Sequence, residues 1–259
     1  EAVEDFQRLR RSDPGSRRTH ARRGRMKAAR RSIAPRHRSA GRSPTALAYD
    51  RWFDEPWGRY AFAVESRALR QAASVSNARV LEAGCGSGRF ASTLEEDAAA
   101  VVALDHDEGM LAVASARLVG PRLLGDLALL PLRDSSVDVT VAVTVLEFVS
   151  DPAAALRELA RVTRPGGRIV LGALNPHSPW GLAHRRRLRS GTWCHARFLT
   201  RRQLRVLGSA YGRVRLSGAL YAPGIVPGLR WLGPVLEAFG RLIPAFGAFQ
   251  VLVIERRSL

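Results

Sequence analysis

Cysteine is nearly missing from this chain: only Cys85 and Cys194 occur in 259 residues. Two thiols so far apart exclude a disulfide framework and a cysteine metal cluster. With no export signal in view, the expected setting is the reducing cytoplasm. Long hydrophobic runs are absent too. No stretch approaches the roughly 20 apolar residues that cross a bilayer, so no membrane span is expected. Lysine is reduced to Lys27, and the basic set is otherwise all arginine. Acidic residues are scarce in one region only: residues 176–259 contain just Glu237 and Glu255.

What is present is charge arranged in three blocks within a net of +18. Residues 1–43 carry 14 basic and 4 acidic side chains, residues 44–175 carry 13 and 17, and residues 176–259 carry 14 and 2. A mildly acidic middle suits a cationic ligand, and an acid-poor end attracts an acidic group or surface. The alternative reading of the arginines is a solvated basic face, with Arg185-Arg186-Arg187 its densest run.

The first residue is Glu rather than Met, as in a fragment or a processed chain. Residues 1–43 combine arginine clusters with Ser, Pro and Gly and lack the apolar core of a signal peptide. Such a segment buries too little apolar surface to offset its ordering entropy, so it is expected to be a disordered basic arm. Its readings are a nucleic-acid or anionic-lipid arm, or an extension without a role.

From Pro44 onward the pattern is that of a folded domain over 44–259. Tyr49–Phe53 and Trp57–Tyr60 form an aromatic opening segment, followed by a predicted helix over 59–73. Strands are predicted at 78–83, 100–105, 121–124, 137–143 and 168–174, with helices at 88–98 and 107–117 between them. A further helix starts at Asp151 as N-cap with Pro152 in the first position. Alternation of this kind implies a parallel sheet covered on both faces. Thr200 caps a predicted helix over 201–209, and 213–221 and 248–256 read as closing strands. Between them, residues 223–247 contain Pro223, Pro227, Pro234 and Pro244, with an apolar helix predicted over about 230–242. Residues 176–247 supply most of the substrate side.

The chemistry gathers at strand ends. Leu81-Glu82-Ala83-Gly84-Cys85-Gly86-Ser87-Gly88 reads as a buried strand running into a glycine turn that opens a helix. Gly84, Gly86 and Gly88 leave the backbone free to approach a ligand and to take positive φ. The spacing departs from the dinucleotide fingerprint, which has two residues between its second and third glycines. Glu82 sits where a pyrophosphate binder avoids negative charge. A carboxylate there suits an ammonium or a sulfonium, which points to S-adenosylmethionine rather than NAD. Asp105 ends the second strand, where it can accept both hydroxyls of a ribose, with His106 beside it. Met110 can lie over an adenine ring, and Gly125-Asp126-Leu127 follow the third strand, with Asp126 placed to accept from the exocyclic amine. Thr144 and Val145 end the fourth strand, where the methyl group would emerge.

On these residues, with Leu130-Pro131, Val137-Asp138-Val139 and Arg161–Gly167, the chain resembles the class I S-adenosylmethionine-dependent methyltransferases. The likeness is to the small-molecule type 11 group, which includes quinone C-methyltransferase-like enzymes, and it covers roughly residues 46–175. It implies an α/β, Rossmann-like seven-stranded sheet, mostly parallel with an antiparallel last strand and helices on both faces. It implies S-adenosylmethionine as cofactor, with Glu82, Gly84, Cys85, Gly86, Gly88, Asp105, His106, Met110, Gly125, Asp126, Leu127, Thr144 and Val145 around it. Two residues depart from the family pattern. His106 stands where an apolar residue is common, and Glu147 stands where many quinone-type members carry a histidine.

Candidate acceptor-side residues are Tyr49, Glu147, Asn175, His177, Trp180, His184, His195 and Arg197, and no catalytic residue is singled out. Glu147 reads equally as a helix-start carboxylate or as a substrate contact. No metal site is expected. Three functions fit: methyl transfer to a small-molecule, acidic or lipid-like acceptor, nucleic-acid (RNA) methylation, or a noncatalytic cofactor-binding module. The Asn/Asp-Pro-Pro-aromatic motif of amino methylation is replaced by Val145-Leu146-Glu147-Phe148. No specific nucleic-acid partner is therefore expected, although the basic end permits weak contact with a membrane surface. The sequence leaves the oligomeric state open.

Overall fold

A computed structural model describes residues 44–183, 195–222, 233–240 and 242–258. The predicted arm over 1–43, His184, Arg185–Arg187, Cys194, Pro223 and Pro227 lie outside the described residues.

Two helices open the domain where one was expected. α1 spans Pro44–Trp52 and α2 spans Pro56–Ala73. The break falls at Pro56, which fits the first turn of α2 because its missing N–H would be unbonded there anyway. Ser74 ends α2 in the left-handed region at φ 50°, its N–H returning to the Arg70 carbonyl. α2 buries Ala61, Glu65, Leu69 and Ala73, a stripe at helical spacing.

Seven strands follow: β1 (Arg79–Ala83), β2 (Ala100–Asp105), β3 (Arg122–Leu124), β4 (Val137–Val143), β5 (Thr163–Leu174), β6 (Gly212–Ala219) and β7 (Phe249–Arg256). They form one sheet in the order β3-β2-β1-β4-β5-β7-β6. β1 to β5 pair in parallel, while β7 is antiparallel to both β5 and β6, as the sequence led us to expect. β5 begins earlier than the predicted Arg168. A register shift between Val137 and Val139 and the left-handed Gly166 (φ 72°) let the chain join the ladder at Thr163.

The intervening helices are α3 (Arg89–Glu95), α4 (Glu108–Ala114), α5 (Pro152–Val162), α6 (Pro179–Ala183), α7 (Arg201–Ser209) and α8 (Gly233–Gly240). Local chemistry sets their starts. Asp151 accepts from the N–H groups of Ala153 and Ala154 at 2.9 and 3.0 Å, and Thr200 forms a reciprocal box with Gln203. α3 and α4 are shorter than expected. After α4 the chain tightens into a turn at Ala116 and Arg117 instead of adding another helical turn.

Alternation along each strand builds two cores. Val80, Val139, Val141, Val170, Phe249 and Val251 face α2 and α3, while Leu81, Leu104, Leu171, Leu252 and Ile254 face α5 and α7. Each fully buried side chain of this kind contributes about 1.5–3 kcal/mol. Glu82 shares the pleat face of Val80, so a carboxylate ends the apolar face under α2 just where β1 meets its turn.

Candidate functional site

The site lies at the carboxyl ends of β1, β2 and β4, the crevice where open α/β sheets bind ligands. Gly84, Gly86 and Gly88 all have positive φ, at 77, 53 and 76°. At Gly84 sterics add a second demand, because a Cβ there would stand 2.3 Å from Val145 Cγ2. A Cβ on Gly86 would meet only Tyr49, 3.6 Å away at Cε1, so Tyr49 forms the wall opposite the turn.

Asp105 is buried and already orients the loops around it. Its Oδ2 accepts from Gly86 N at 2.7 Å and its Oδ1 from Asp107 N at 3.0 Å. A carboxylate offers about four lone-pair sites, so capacity remains for ribose hydroxyls. His106 is mostly exposed, with Nδ1 3.3 Å from Asp105 Oδ1. Asp107 caps α4 and holds the N–H groups of Gly109 and the half-buried Met110. Asp126 is exposed and turns the chain by accepting from Ala128 N at 2.8 Å, while Leu127 beside it is buried. Gly125 N bonds the Asp105 carbonyl, which ties the third-strand loop to the second. Thr144 sits at φ 46°, a strained conformation for a residue with a Cβ, at the point where β4 delivers Val145 against Gly84.

Glu82 is 1 % exposed and its Oε2 has no hydrogen-bond partner among the described residues. Burial, with the Asp105 charge adding, lifts its carboxyl well above the ordinary range, and a backbone hydrogen bond from Ala91 only partly opposes this. A cation brought beside it would reverse that shift. A buried, half-satisfied carboxylate behind a glycine turn, next to a ribose-type acid, fits a ligand that carries both an ammonium and a nucleoside. Cys85 does not add reactivity, since burial raises its thiol far above the usual range.

Residues 81–171 match the methyltransferase domain family model. This chain carries a class I S-adenosylmethionine-dependent methyltransferase domain of the type 11 group. S-adenosylmethionine is its cofactor. The methyltransferase is similar to a malonyl-[acyl-carrier protein] O-methyltransferase of Serratia marcescens, 42% identical over 112 residues, 43% of this chain and 44% of that protein. It is also similar to a demethylmenaquinone methyltransferase of Mycolicibacterium paratuberculosis, 43% identical over 93 residues, 36% of this chain and 40% of that protein. The matched stretch thus spans less than half the length of these curated relatives. Among solved structures it resembles a methyltransferase of Thermotoga maritima described as a possible histamine N-methyltransferase. That likeness has a TM-score of 0.67 at 26% identity and covers 82% of this chain and 95% of the other.

The acceptor-side candidates part company. Tyr49 lies on the cleft wall. Burial and then the charges of Glu65, Glu82, Asp105 and Asp50 hold its phenol well above its usual range, so it stays protonated. Glu147 is fully buried, and no helix starts at it, because α5 begins at Pro152. Its Oε1 accepts from Leu174 N at 3.0 Å, its Oε2 is unpartnered among the described residues, and burial raises its carboxyl to about 7. Asn175 uses its amide to hold the carbonyls of Ala245 and Gly247 at 2.8 and 3.0 Å, while its Oδ1 accepts from His177 N. This is a fastening between β5 and the turn before β7. Trp180 is half-buried on α6 and packs on the core facing α2. His177, His195 and Arg197 are exposed, and Arg197 donates its backbone N–H to the Glu147 carbonyl at 2.7 Å.

Two features escaped the sequence reading. Asp50 on α1 receives Arg89 Nε at 2.7 Å and Arg117 Nη2 at 3.0 Å, and Arg117 also donates to the Ser87 carbonyl. Burial works against the charged form, yet those hydrogen bonds hold the Asp50 carboxyl down at about 2. This brace clamps α1, and with it Tyr49, onto the glycine turn. The second is Glu65, 7 % exposed on the sheet-facing stripe of α2. Its signal was an acid at helical spacing between Ala61 and Leu69.

Proposed function

We propose that this protein transfers the methyl group of S-adenosylmethionine to a small-molecule acceptor bearing an acidic or lipid-like portion. The observation that carries the reading is the unpartnered, buried Glu82 behind three positive-φ glycines and beside Asp105. Asp105 holds the ribose hydroxyls and Glu82 the ammonium. Met110 and Asp126 border the adenine with His106 and Leu127, and Thr144 and Val145 border the reacting centre. The cofactor supplies an electrophilic methyl carbon on a sulfonium. The work left to the chain is alignment, which in well-oriented cases is worth about 7–11 kcal/mol of barrier. The names of the curated relatives support a small molecule or a carrier-bound acyl group as acceptor. The acid-poor stretch over 176–259 favours an anionic portion on it. His177, His195, Trp180 and Arg197 are on this reading the outer acceptor contacts.

The catalytic unit is 44–259, with 1–43 a dispensable basic arm. No described helix is long and apolar enough to cross a membrane. The single described cysteine is a free buried thiol, in keeping with the cytoplasmic assignment we make. The test has two parts. Calorimetry should detect S-adenosylmethionine or S-adenosylhomocysteine and not NAD. Labelled methyl groups should then appear in the metabolite or lipid fraction of a cell extract. Tight NAD binding, or label in RNA alone, would overturn the assignment.

A further inference from the structure

The segment of α8 and the turn after it carries large apolar side chains that face water. Val235 is 48 % exposed, and Phe239, Leu242, Ile243 and Phe246 are each more than half exposed. Their spacing of four, three, one and three positions is that of one helix face. α8 itself stops at Gly240, yet the chain keeps turning through hydrogen bonds from Leu242 N to Phe239 O, Ile243 N to Gly240 O and Phe246 N to Ile243 O. The other side of the segment is fastened to the domain. Glu237 accepts from the N–H groups of Leu220 and Tyr221 at 3.1 and 2.7 Å, and a Cβ on Gly240 would stand 2.1 Å from the Tyr221 ring. A contiguous apolar face held outward and rimmed by polar residues marks a surface that meets something other than water.

Charge says what it meets. Arg201 of α7 reaches the segment directly, donating Nη1 to the Pro244 carbonyl at 3.0 Å. Arg202 and Arg205 stand exposed on the same helix. On the other flank, the groove between α2, β6 and α8 is lined by Arg67, Arg168 and Arg215. The two acids of residues 176–259 are both engaged, Glu237 by backbone N–H groups and Glu255 by Arg215 at 2.7 Å. An apolar face among cations repels a second copy of itself, because the copy brings the same arginines. An anionic lipid surface complements both the apolar side chains and the charges around them.

We propose that α8 and the turn after it form a docking surface for an anionic lipid membrane. Phe239, Leu242, Ile243 and Phe246 enter the boundary between headgroups and acyl chains, while Arg201, Arg202 and Arg205 meet the lipid phosphates. The segment leaves the carboxyl end of β6 and enters the amino end of β7, so it stands on the rim of the sheet that also carries the cofactor cleft. Asn175, at the end of β5, ties it to that rim through the carbonyls of Ala245 and Gly247. The docked protein thus turns its cleft end toward the membrane. This surface goes beyond the methyl-transfer reading and does not depend on it.

The test floats the full chain with vesicles of phosphatidylcholine alone, and with vesicles of phosphatidylcholine and phosphatidylglycerol in equal parts. Affinity is expected to be at least about tenfold higher for the anionic vesicles and to fall with added salt. Residues 1–43 are basic as well, so the variants decide. Phe239→Ser combined with Leu242→Ser should lower affinity for the anionic vesicles at least about tenfold. The melting temperature should stay unchanged, because both side chains already face water. Arg202→Gln combined with Arg205→Gln should lower affinity about tenfold and flatten the salt dependence. Native affinity in the Phe239 and Leu242 variant, or equal binding to both kinds of vesicle, would overturn the proposal. So would a native dimer in sedimentation that this variant dissociates, which assigns the face to a second copy. Protein that binds the anionic vesicles but neither S-adenosylmethionine nor S-adenosylhomocysteine would sink the methyl-transfer reading and leave this surface standing.

Discussion

At the scale of single residues, the site sets side chains that hold the fold beside side chains that wait for a ligand. Asp105 does both. On the proposed reading, replacing it by Ala removes two charge-assisted hydrogen bonds to a ribose, each worth about 1.5–3 kcal/mol, along with its hold on Gly86. Asp105→Ala should weaken S-adenosylhomocysteine binding at least about tenfold in calorimetry, with a far smaller change in the melting of the ligand-free protein. Glu147 offers a different test. Below about pH 4.5 its carboxyl is protonated in both folded and unfolded chains. Between that pH and about 7 the unfolded chain ionises while the folded one holds its proton, so stability falls as pH rises through this window and then levels. A shift of this size corresponds to roughly 3 kcal/mol. Glu147→Gln should flatten that fall, read as a smaller difference in melting temperature between pH 5 and pH 7.5 than in the native protein. An equal fall in both would mean other groups carry it.

At the scale of elements, what the sequence made legible follows from how local each cause is. The Asp151-Pro152 start of α5 and the Thr200 start of α7 are written in adjacent residues, and both form as expected. β1 with its glycine turn, and the acids ending β1 and β2, were likewise visible in a few consecutive positions. By sequence Asn175 reads as an acceptor contact because it follows the fifth strand, at the mouth where the acceptor would enter. Its true partners, the carbonyls of Ala245 and Gly247, lie about seventy positions away, and nothing local announces them. The same holds for Glu147 and Leu174, and for the Asp50 brace to Arg89 and Arg117. The turn after β1 gives the sharpest test at this scale. Gly84→Ala forces a methyl into Val145 at a backbone angle of φ 77°. It should destabilise the domain by about 1–3 kcal/mol in denaturant unfolding and abolish measurable cofactor binding. Native stability in that variant would show that the turn yields more readily than its contacts imply.

At the scale of the whole molecule, every strand and every cap described lies downstream of Pro44. A chain beginning there should melt cooperatively near the native temperature and keep its affinity for S-adenosylhomocysteine. A drop in melting temperature on removing 1–43 would mean that the arm packs on the domain. Charge also divides the sequence into blocks, with 17 acidic and 13 basic side chains over 44–175 and 2 against 14 over 176–259. On the proposed reading this asymmetry favours an anionic acceptor, and its effect on association should fade with added salt.

The placement of β7 reaches beyond the finished structure. β5 and β6 never touch as neighbours, because Phe249–Arg256 is the strip that joins them. While the chain is being made, at about 5–20 residues per second, β5 therefore presents a bare hydrogen-bonding edge until residue 256 has emerged. β6 and α7 emerge earlier with no sheet to join. The nascent domain passes through a stage in which its cofactor cleft is complete and its sheet is still open.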